Sequence, residues 1–586
     1  MAAAGCWSAV AVDEAQAARP APPHGPRAMQ RLPERDSPLP TAVAQALAQA
    51  QVPADALAAV VLPVAGPNKA GWGVQADRPM PPSSTMKLVT SIVALDTLGP
   101  NHRGFTELLS AAPQQGDVLA GDLVLRGGAD PELWLAQLSA LLAELRWQGI
   151  REIDGDIVLD RTLFRPAPVD AAATPFDERP EFHYNQVPDA LQLNGNLLGL
   201  EISSEGHRTP GVVVRLLPPL PGVQIDASAL RLTERACRDW GDDWQSPPLL
   251  DQAEPGLLRI RLRGGFPRAC TQRTGLALID RLALAEHHLR WVWESLGGQW
   301  RGRVRDLVAT AAATGAEAAL AQPASAEAVS AQPESAGLGL AQTESAEAVS
   351  NQIAWADPNP AKPTLRLLAR RMARPWGELL RMVNKQSDNP GSRLLYLSLG
   401  LDLPGGAARA TWSADVQSAD ARSADARAAD ALAADTRLAD TPRPTADLAA
   451  RAVRAWLAAH QIPTAGLVLD NGSGLSRSER ITPRQLALML RAAHAGRWGP
   501  DLLASLPLAG VDGTMRDRLK TSPAAGSARL KTGTLKNAVA LAGYVPDAQG
   551  RWWALAAMVS HDHAIAARPA LDALVDWVAR GGLGSR

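Results

Sequence analysis

The stretch that most limits how this chain can fold is Leu88-Val89-Thr90-Ser91-Ile92-Val93-Ala94-Leu95, which continues to Leu98. Its apolar spacing predicts a helix buried over most of its surface, so other elements must be arranged around it. Pro81 and Pro82 stand just upstream, and proline can lead into a helix although it cannot continue one. Between them lies Ser83-Ser84-Thr85-Met86-Lys87. Ser84 and Lys87 are three apart and share a face of the first turn, a hydroxyl beside an amine at the positive end of the helix dipole. A serine acyl-transfer enzyme needs that arrangement, although a lone Ser-x-x-Lys is common by chance.

Lysine is scarce enough here to be informative. Of 59 positively charged residues only seven are lysine, at 69, 87, 362, 385, 520, 531 and 536. Arginine keeps its proton in a protein, whereas a lysine in a dry or positively crowded site can give it up. Each lysine is therefore worth inspecting. The formal charge of −1 removes any general argument for nucleic acid or an anionic membrane as partner. No apolar run is long enough to predict a transmembrane helix.

A chain of 586 residues exceeds one core, so two or more domains are expected. Residues 1–40, rich in Ala, Pro and Arg, read as a disordered leader with a weak export signal. From Thr41 the pattern is globular. Helices are expected at Val43 to Ala50, Leu133 to Leu145, Thr274 to Leu296, Leu365 to Val383 and Ala446 to His460. Two more open at Thr482-Pro483 and at Pro569. Strands are expected at Leu57 to Val64, Gly121 to Gly128, Ile153 to Leu159, Gly211 to Leu216, Leu257 to Leu262, Ala538 to Val545 and Trp552 to Val559. The stretch from about 190 to 270 is β-rich. Cys237 and Cys270 flank Trp240 and Trp244; in an exported chain they would form a disulfide, otherwise two buried thiols. The decapeptide repeats at 321–350 and the Ala-Asp unit recurring from Asp415 to Asp440 lack bulky apolar residues. Both read as surface insertions without a core.

Two further motifs follow the first in fixed order, Ser387-Asp388-Asn389 and Lys531-Thr532-Gly533, the latter followed by Thr534. A serine hydroxyl is almost wholly protonated at neutral pH, so Ser84 as nucleophile needs a base. Lys87 can serve if burial and the nearby charge of Lys531 lower its pKa. Ser387 and Lys531 would relay a proton to the leaving amine and bind a substrate carboxylate, and Asn389 would hold Lys87. Gly533 permits close backbone approach, so a peptide could add along the strand that carries Thr532 and Thr534. The backbone N–H groups of Ser84 and Thr534 would then form an oxyanion hole. No metal or cofactor is called for; His561-Asp562-His563 and His287-His288 read as a turn and a helix without the partners of a zinc motif.

The three motifs together resemble the signature of penicillin-binding proteins and serine β-lactamases. Gly121 to Leu125, Gly128-Ala129-Asp130-Pro131, Asp470-Asn471-Gly472-Ser473-Gly474-Leu475-Ser476-Arg477, Asp512-Gly513-Thr514-Met515 and Leu541-Ala542-Gly543-Tyr544 narrow the resemblance. The chain is similar to the class C low-molecular-mass penicillin-binding proteins, serine D-alanyl-D-alanine carboxypeptidase/endopeptidases. Ser84 and Ser387 are 303 residues apart. That long insertion separates this family from the class A β-lactamases. The resemblance implies an α/β (α+β) fold, with an antiparallel sheet and flanking helices in a peptidase domain split between 41–105 and 355–586. Inserted β-rich domains would occupy 106–310, with low-complexity insertions at 311–354 and 405–445. It also implies a periplasmic or extracytoplasmic enzyme that cleaves peptidoglycan stem peptides through an acyl-enzyme and is acylated by β-lactams. Asp177 would lie where the family reads the substrate's side-chain amine. The rivals are a β-lactamase and a non-catalytic peptidoglycan-binding or β-lactam-sensing protein.

Overall fold

A computed structural model of the chain describes residues 37–66, 71–166, 179–205, 211–254, 257–307, 365–401 and 443–584. The decapeptide repeats, the Ala-Asp repeat and Asp177 lie outside the described residues.

Both ends of the described chain meet in one five-stranded antiparallel sheet. Its spatial order is Arg529–Leu535, Ala538–Pro546, Trp552–Ser560, Leu57–Pro63, Trp72–Val74. Strand side chains alternate between faces. Ala58, Val60 and Leu62 therefore join Ala540, Ala542, Ala554 and Met558 in one core, while Leu57, Ala59 and Val61 join Val539, Leu541, Leu555 and Val559 in the other. Covered on both faces, such strands read as unbroken apolar runs. The first face is packed by helices Met86–Thr97, Trp376–Lys385, Asn389–Ser398, Thr445–Ala459 and Pro483–Ala495, and the second by Thr41–Gln49 and Arg568–Ala579. The helix that follows Pro82 is central: every residue from Met86 to Leu95 is buried. Helix Pro483–Ala495 opens on a capping box, with Thr482 Oγ1 accepting from Gln485 N at 3.0 Å and Gln485 Oε1 accepting from Thr482 N at 2.9 Å.

Between the central helix and the rest of that layer the chain builds other sheets. Val304–Asp306, Ile157–Asp160, Leu123–Gly128, Phe105–Ser110 and Arg366–Met372 form a second five-stranded sheet. It packs on helices Leu135–Trp147 and Arg281–Ser295. Two three-stranded sheets follow, one centred on Leu198–Ser203 and one on Leu257–Pro267. Cys237 and Cys270 are bonded across them.

Three expected elements are corrected. Leu365 to Val383 is not one helix: Arg366–Met372 pairs antiparallel with Phe105–Ser110, and helix Trp376–Lys385 starts only after Pro375. Proline disfavours helix in the residue before it, and pairing with a distant strand overrides the local apolar spacing. Thr274 to Leu296 likewise begins inside strand Thr271–Leu276, and its helix starts at Arg281, where Asp280 accepts from Leu282 N at 3.0 Å. Ile153 to Leu159 is split between Glu152–Ile153 and Ile157–Asp160, which belong to different sheets. Gly155 turns the chain between them, against the backbone of Gly121 where a side chain would collide.

Candidate active site

The turn that carries Ser84 is built by Pro82. Residues Ser83–Thr85 make one 3-10 turn, closed by Thr85 Oγ1 donating to Pro82 O at 2.7 Å, and the α-helix begins at Met86. Ser83 is buried with φ of +46°, a left-handed conformation that a side-chain-bearing residue holds only under constraint. Gly474, at φ +81°, leaves the room: a side chain there would collide with Ser83 O. One turn along, Lys87 Nζ donates to Ser84 Oγ at 3.0 Å. The same amine donates to Asn389 Oδ1 and to Ser473 O, each at 2.6 Å.

Ser387 and Asn389 occupy the junction of two helices. Helix Trp376–Lys385 ends at Gln386, and Ser387 reverses the chain at φ +63°. Asp388 caps the next helix, its Oδ2 accepting from Gly391 N at 2.7 Å. Asn389 is thereby held as the first helical residue. Its Oδ1 faces Lys87, while its Nδ2 donates to Tyr184 O at 3.1 Å. The inserted region thus touches the site through a backbone carbonyl.

Lys531 comes from the edge strand Arg529–Leu535. Its Nζ donates to Ser387 Oγ at 3.0 Å and to Thr532 O at 2.7 Å. Alternation places Lys531 and Gly533 on the face towards the Ser84 turn, and Thr532 and Thr534 on the other. A side chain at Gly533 would come within 2.8 Å of Pro82 O and Ser83 Cβ and 3.0 Å of Ser84 N, so only glycine lets the strand lie against the turn. Thr532 Oγ1 bonds Thr514 Oγ1 at 2.9 Å, and Arg568 donates to Thr534 Oγ1 at 3.1 Å. Ser84, Lys87, Ser387, Asn389, Lys531 and Gly533 converge, with Thr532 and Thr534 on the adjoining strand face.

The electrostatics favour a neutral amine. Burial pushes Lys87 from 10.5 down to about 7; Asp388 and Glu479 pull it back up, and Arg393 pushes it down. Lys531, also fully enclosed, is held well below its ordinary value by burial and then by the charge of Lys87. The expected repulsion between the two lysines is therefore felt at Lys531, and the cation acting on Lys87 is Arg393. A neutral amine at 3.0 Å from a hydroxyl can take its proton.

The residues missed in the sequence lie beneath Lys87. Glu479 Oε1 accepts from Asn471 N at 3.1 Å and Gly472 N at 2.9 Å, which shapes the loop that presents Ser473 O. Gly472 O in turn accepts from Thr90 Oγ1 at 2.7 Å and Ser392 Oγ at 2.9 Å. Burial raises the Glu479 carboxyl to about 7 and lowers Arg393 to about 10. The run from Asp470 to Arg477 was the available signal, but nothing in its spacing points to Glu479. Elsewhere, His288 is buried inside its helix, and His561 and His563 meet edge to face in a turn. Among the described residues no group of three or more His, Cys, Asp or Glu is placed to hold a metal, and no helix is long and apolar enough to cross a membrane.

Comparison with known proteins identifies the family. The D-alanyl-D-alanine carboxypeptidase of an Actinomadura species is 26% identical over 483 residues, 80% of this chain and 71% of that one. The D-alanyl-D-alanine carboxypeptidase DacB of Haemophilus influenzae is 24% identical over 475 residues, 80% of this chain and 78% of the relative. The crystal structure of penicillin binding protein 4 from Haemophilus influenzae superposes with a TM-score of 0.59 at 21% identity, covering 89% of this chain and 93% of that one. The family model for D-Ala-D-Ala carboxypeptidase 3 (S13) matches residues 39–331 and 421–581. With most of its length so matched, the chain belongs to the D-Ala-D-Ala carboxypeptidase 3 (S13) family of serine-type carboxypeptidases.

Proposed function

We propose that this chain hydrolyses the D-Ala-D-Ala terminus of peptidoglycan stem peptides outside the cytoplasm, with Ser84 as nucleophile and Lys87 as its base. The observation that carries the reading is the enclosed Lys87 amine, 3.0 Å from Ser84 Oγ and fixed by Asn389 Oδ1 and Ser473 O. Lys87 takes the Ser84 proton as Oγ bonds to the carbonyl carbon of the penultimate D-Ala. The N–H groups of Ser84 and Thr534 hold the oxyanion. A side chain at Gly533 would come within 3.0 Å of Ser84 N, so the strand lies close enough to the turn to support that geometry. As the amide bond breaks, the proton that Lys87 took passes by way of Ser387 and Lys531 to the departing amine and leaves Lys87 neutral again; the 3.0 Å bond between Lys531 and Ser387 supports the relay. Water, activated by Lys87, then releases the acyl group. Cross-linked peptides, in which the departing amine belongs to a second stem, follow the same steps. A β-lactam presents a carbonyl to the same hydroxyl, but its leaving amine stays tethered and hinders water. The name of the solved relative, a penicillin binding protein, supports this.

Incubation with a fluorescent penicillin and mapping of the adduct by mass spectrometry tests the reading. One adduct at Ser84, absent from Ser84→Ala, is expected. A label elsewhere, or persisting in Ser84→Ala, refutes it. Rapid turnover of nitrocefin would point instead to a β-lactamase.

A further inference from the structure

One of the scarce lysines takes no part in the chemistry above, although it lies two residues before Ser387. Lys385 ends helix Trp376–Lys385, is partly buried, and its Nζ donates to Asp512 Oδ2. The other oxygen of that carboxylate accepts from Leu508 N at 2.8 Å. Burial alone would raise the Asp512 carboxyl, but the bonds from Lys385 and Leu508 N hold it below its ordinary value, so it is ionised at neutral pH. Gly513, at φ +56°, crosses directly over the same lysine: a side chain there would come within 2.7 Å of Lys385 O. Ion pair and backbone contact together clamp segment 507–515 onto the turn that carries Ser387.

The same segment is bonded to the strand of Lys531. Leu508 bridges Arg529 antiparallel, Leu530 N donates to Pro507 O at 2.9 Å, and Thr514 Oγ1 bonds Thr532 Oγ1 at 2.9 Å. The contacts therefore close a ring, from Lys385 through Asp512, Thr514, Thr532 and Lys531 to Ser387 and back. Within it, the 3.0 Å bond between Lys531 and Ser387 is made by a long, flexible side chain, which follows the spacing of its two elements and does not set it. Ser387 itself stands at φ +63°, a conformation that persists only where the surroundings hold it. We infer that Lys385 and Asp512 are positioning residues, which hold the Ser387 turn within relay distance of Lys531 without touching the substrate. The inference rests on the proposed relay and adds a selection to it: loss of the pair slows reactions whose leaving group needs a proton and spares those whose leaving group does not.

The test compares an N-acylated peptide ending in D-Ala-D-Ala with a thiolester of the same acyl group. When the amide C–N bond breaks, the nitrogen must take a proton, whereas a thiol of pKa about 8.5 departs as thiolate with the electron pair of the C–S bond. Lys385→Met and Asp512→Asn, the latter keeping an acceptor for Leu508 N, should each lose about 10- to 100-fold in kcat/KM on the peptide and less than about threefold on the thiolester. The double variant should lose no more than either single one. Lys385→Arg, which can still pair with Asp512, should recover most of the loss. Ser387→Ala is the reference and should show the same split between substrates. Retained thiolester turnover reports that each variant is folded. Where Ser387→Ala shows the split, equal losses of the pair variants on both substrates, or no loss on the peptide, overturn the role of the pair and leave the relay intact. Equal losses of Ser387→Ala on both substrates overturn the relay and the role of the pair with it. A wild-type protein that leaves the peptide uncut overturns the peptidase reading itself.

Discussion

If Lys87 is the base, acylation must follow its deprotonation. At the ordinary pKa of 10.5 only about one Lys87 in three thousand would be neutral at pH 7, whereas at about 7 about half are. Because the neutral form is the active one, the second-order rate constant for acylation rises with pH. It should climb about tenfold per unit near pH 5 to 6, reach half its maximum near pH 7 and level off above 8. Stopped-flow labelling with a fluorescent penicillin between pH 5 and 9 reads it directly. Two substitutions isolate the cause. Lys87→Arg keeps the charge but cannot release the proton, and should slow acylation by about 10² to 10⁴. Glu479→Gln keeps an acceptor for Asn471 and Gly472 but removes a negative charge that raises Lys87, so the midpoint should move to lower pH. A flat profile, or Lys87→Arg within tenfold of wild type, would refute the argument.

The other consequences are simpler to test. Gly533→Val forces the edge strand off the Ser84 turn, and acylation should fall by more than about a hundredfold while overpacking costs about 1–3 kcal/mol in stability; labelling and thermal melts measure the two. Asn389→Ala removes the acceptor of one Lys87 proton and a donor to Tyr184 O, which should destabilise the protein by about 1–3 kcal/mol and slow acylation, as urea unfolding and labelling would show. The Cys237–Cys270 bond closes a span of 33 residues, worth about 3–4 kcal/mol to the β-rich region. Calorimetry with and without reductant should show that region melting earlier, and an unchanged trace would refute it.

The sequence was most legible where local chemistry dominates. Thr482 and Pro483 announce a helix start by themselves, and Leu57 to Val64 reads as a strand from its apolar, β-branched run. Ser84 and Lys87 were legible because their bond is made within one helical turn. Arg366 to Met372 was misread because its apolar spacing suits a helix, and only Phe105–Ser110, some 260 residues earlier, makes it a strand. Glu479 and Arg393 were missed for the same reason. Each carries an unremarkable charge in the sequence and becomes significant only when folding encloses it beside Lys87. The lysines were the exception: their scarcity made distant positions informative before any contact was known.

The pairing of Val60 with Ala556 has a further bearing, on the order of events during synthesis. Lys87 reaches partners 302 and 386 positions later, and the strand of Lys531 follows those. Contacts of such separation form late and slowly. A nascent chain that has left the ribosome as far as Asn389 already holds Ser84, Lys87 and Ser387, yet beside Leu57–Pro63 it has only the short strand Trp72–Val74 and lacks Trp552–Ser560. The Ser84 hydroxyl therefore stays unarmed through most of translation, and a ribosome that stalls before Lys531 releases an inert product instead of a partial enzyme.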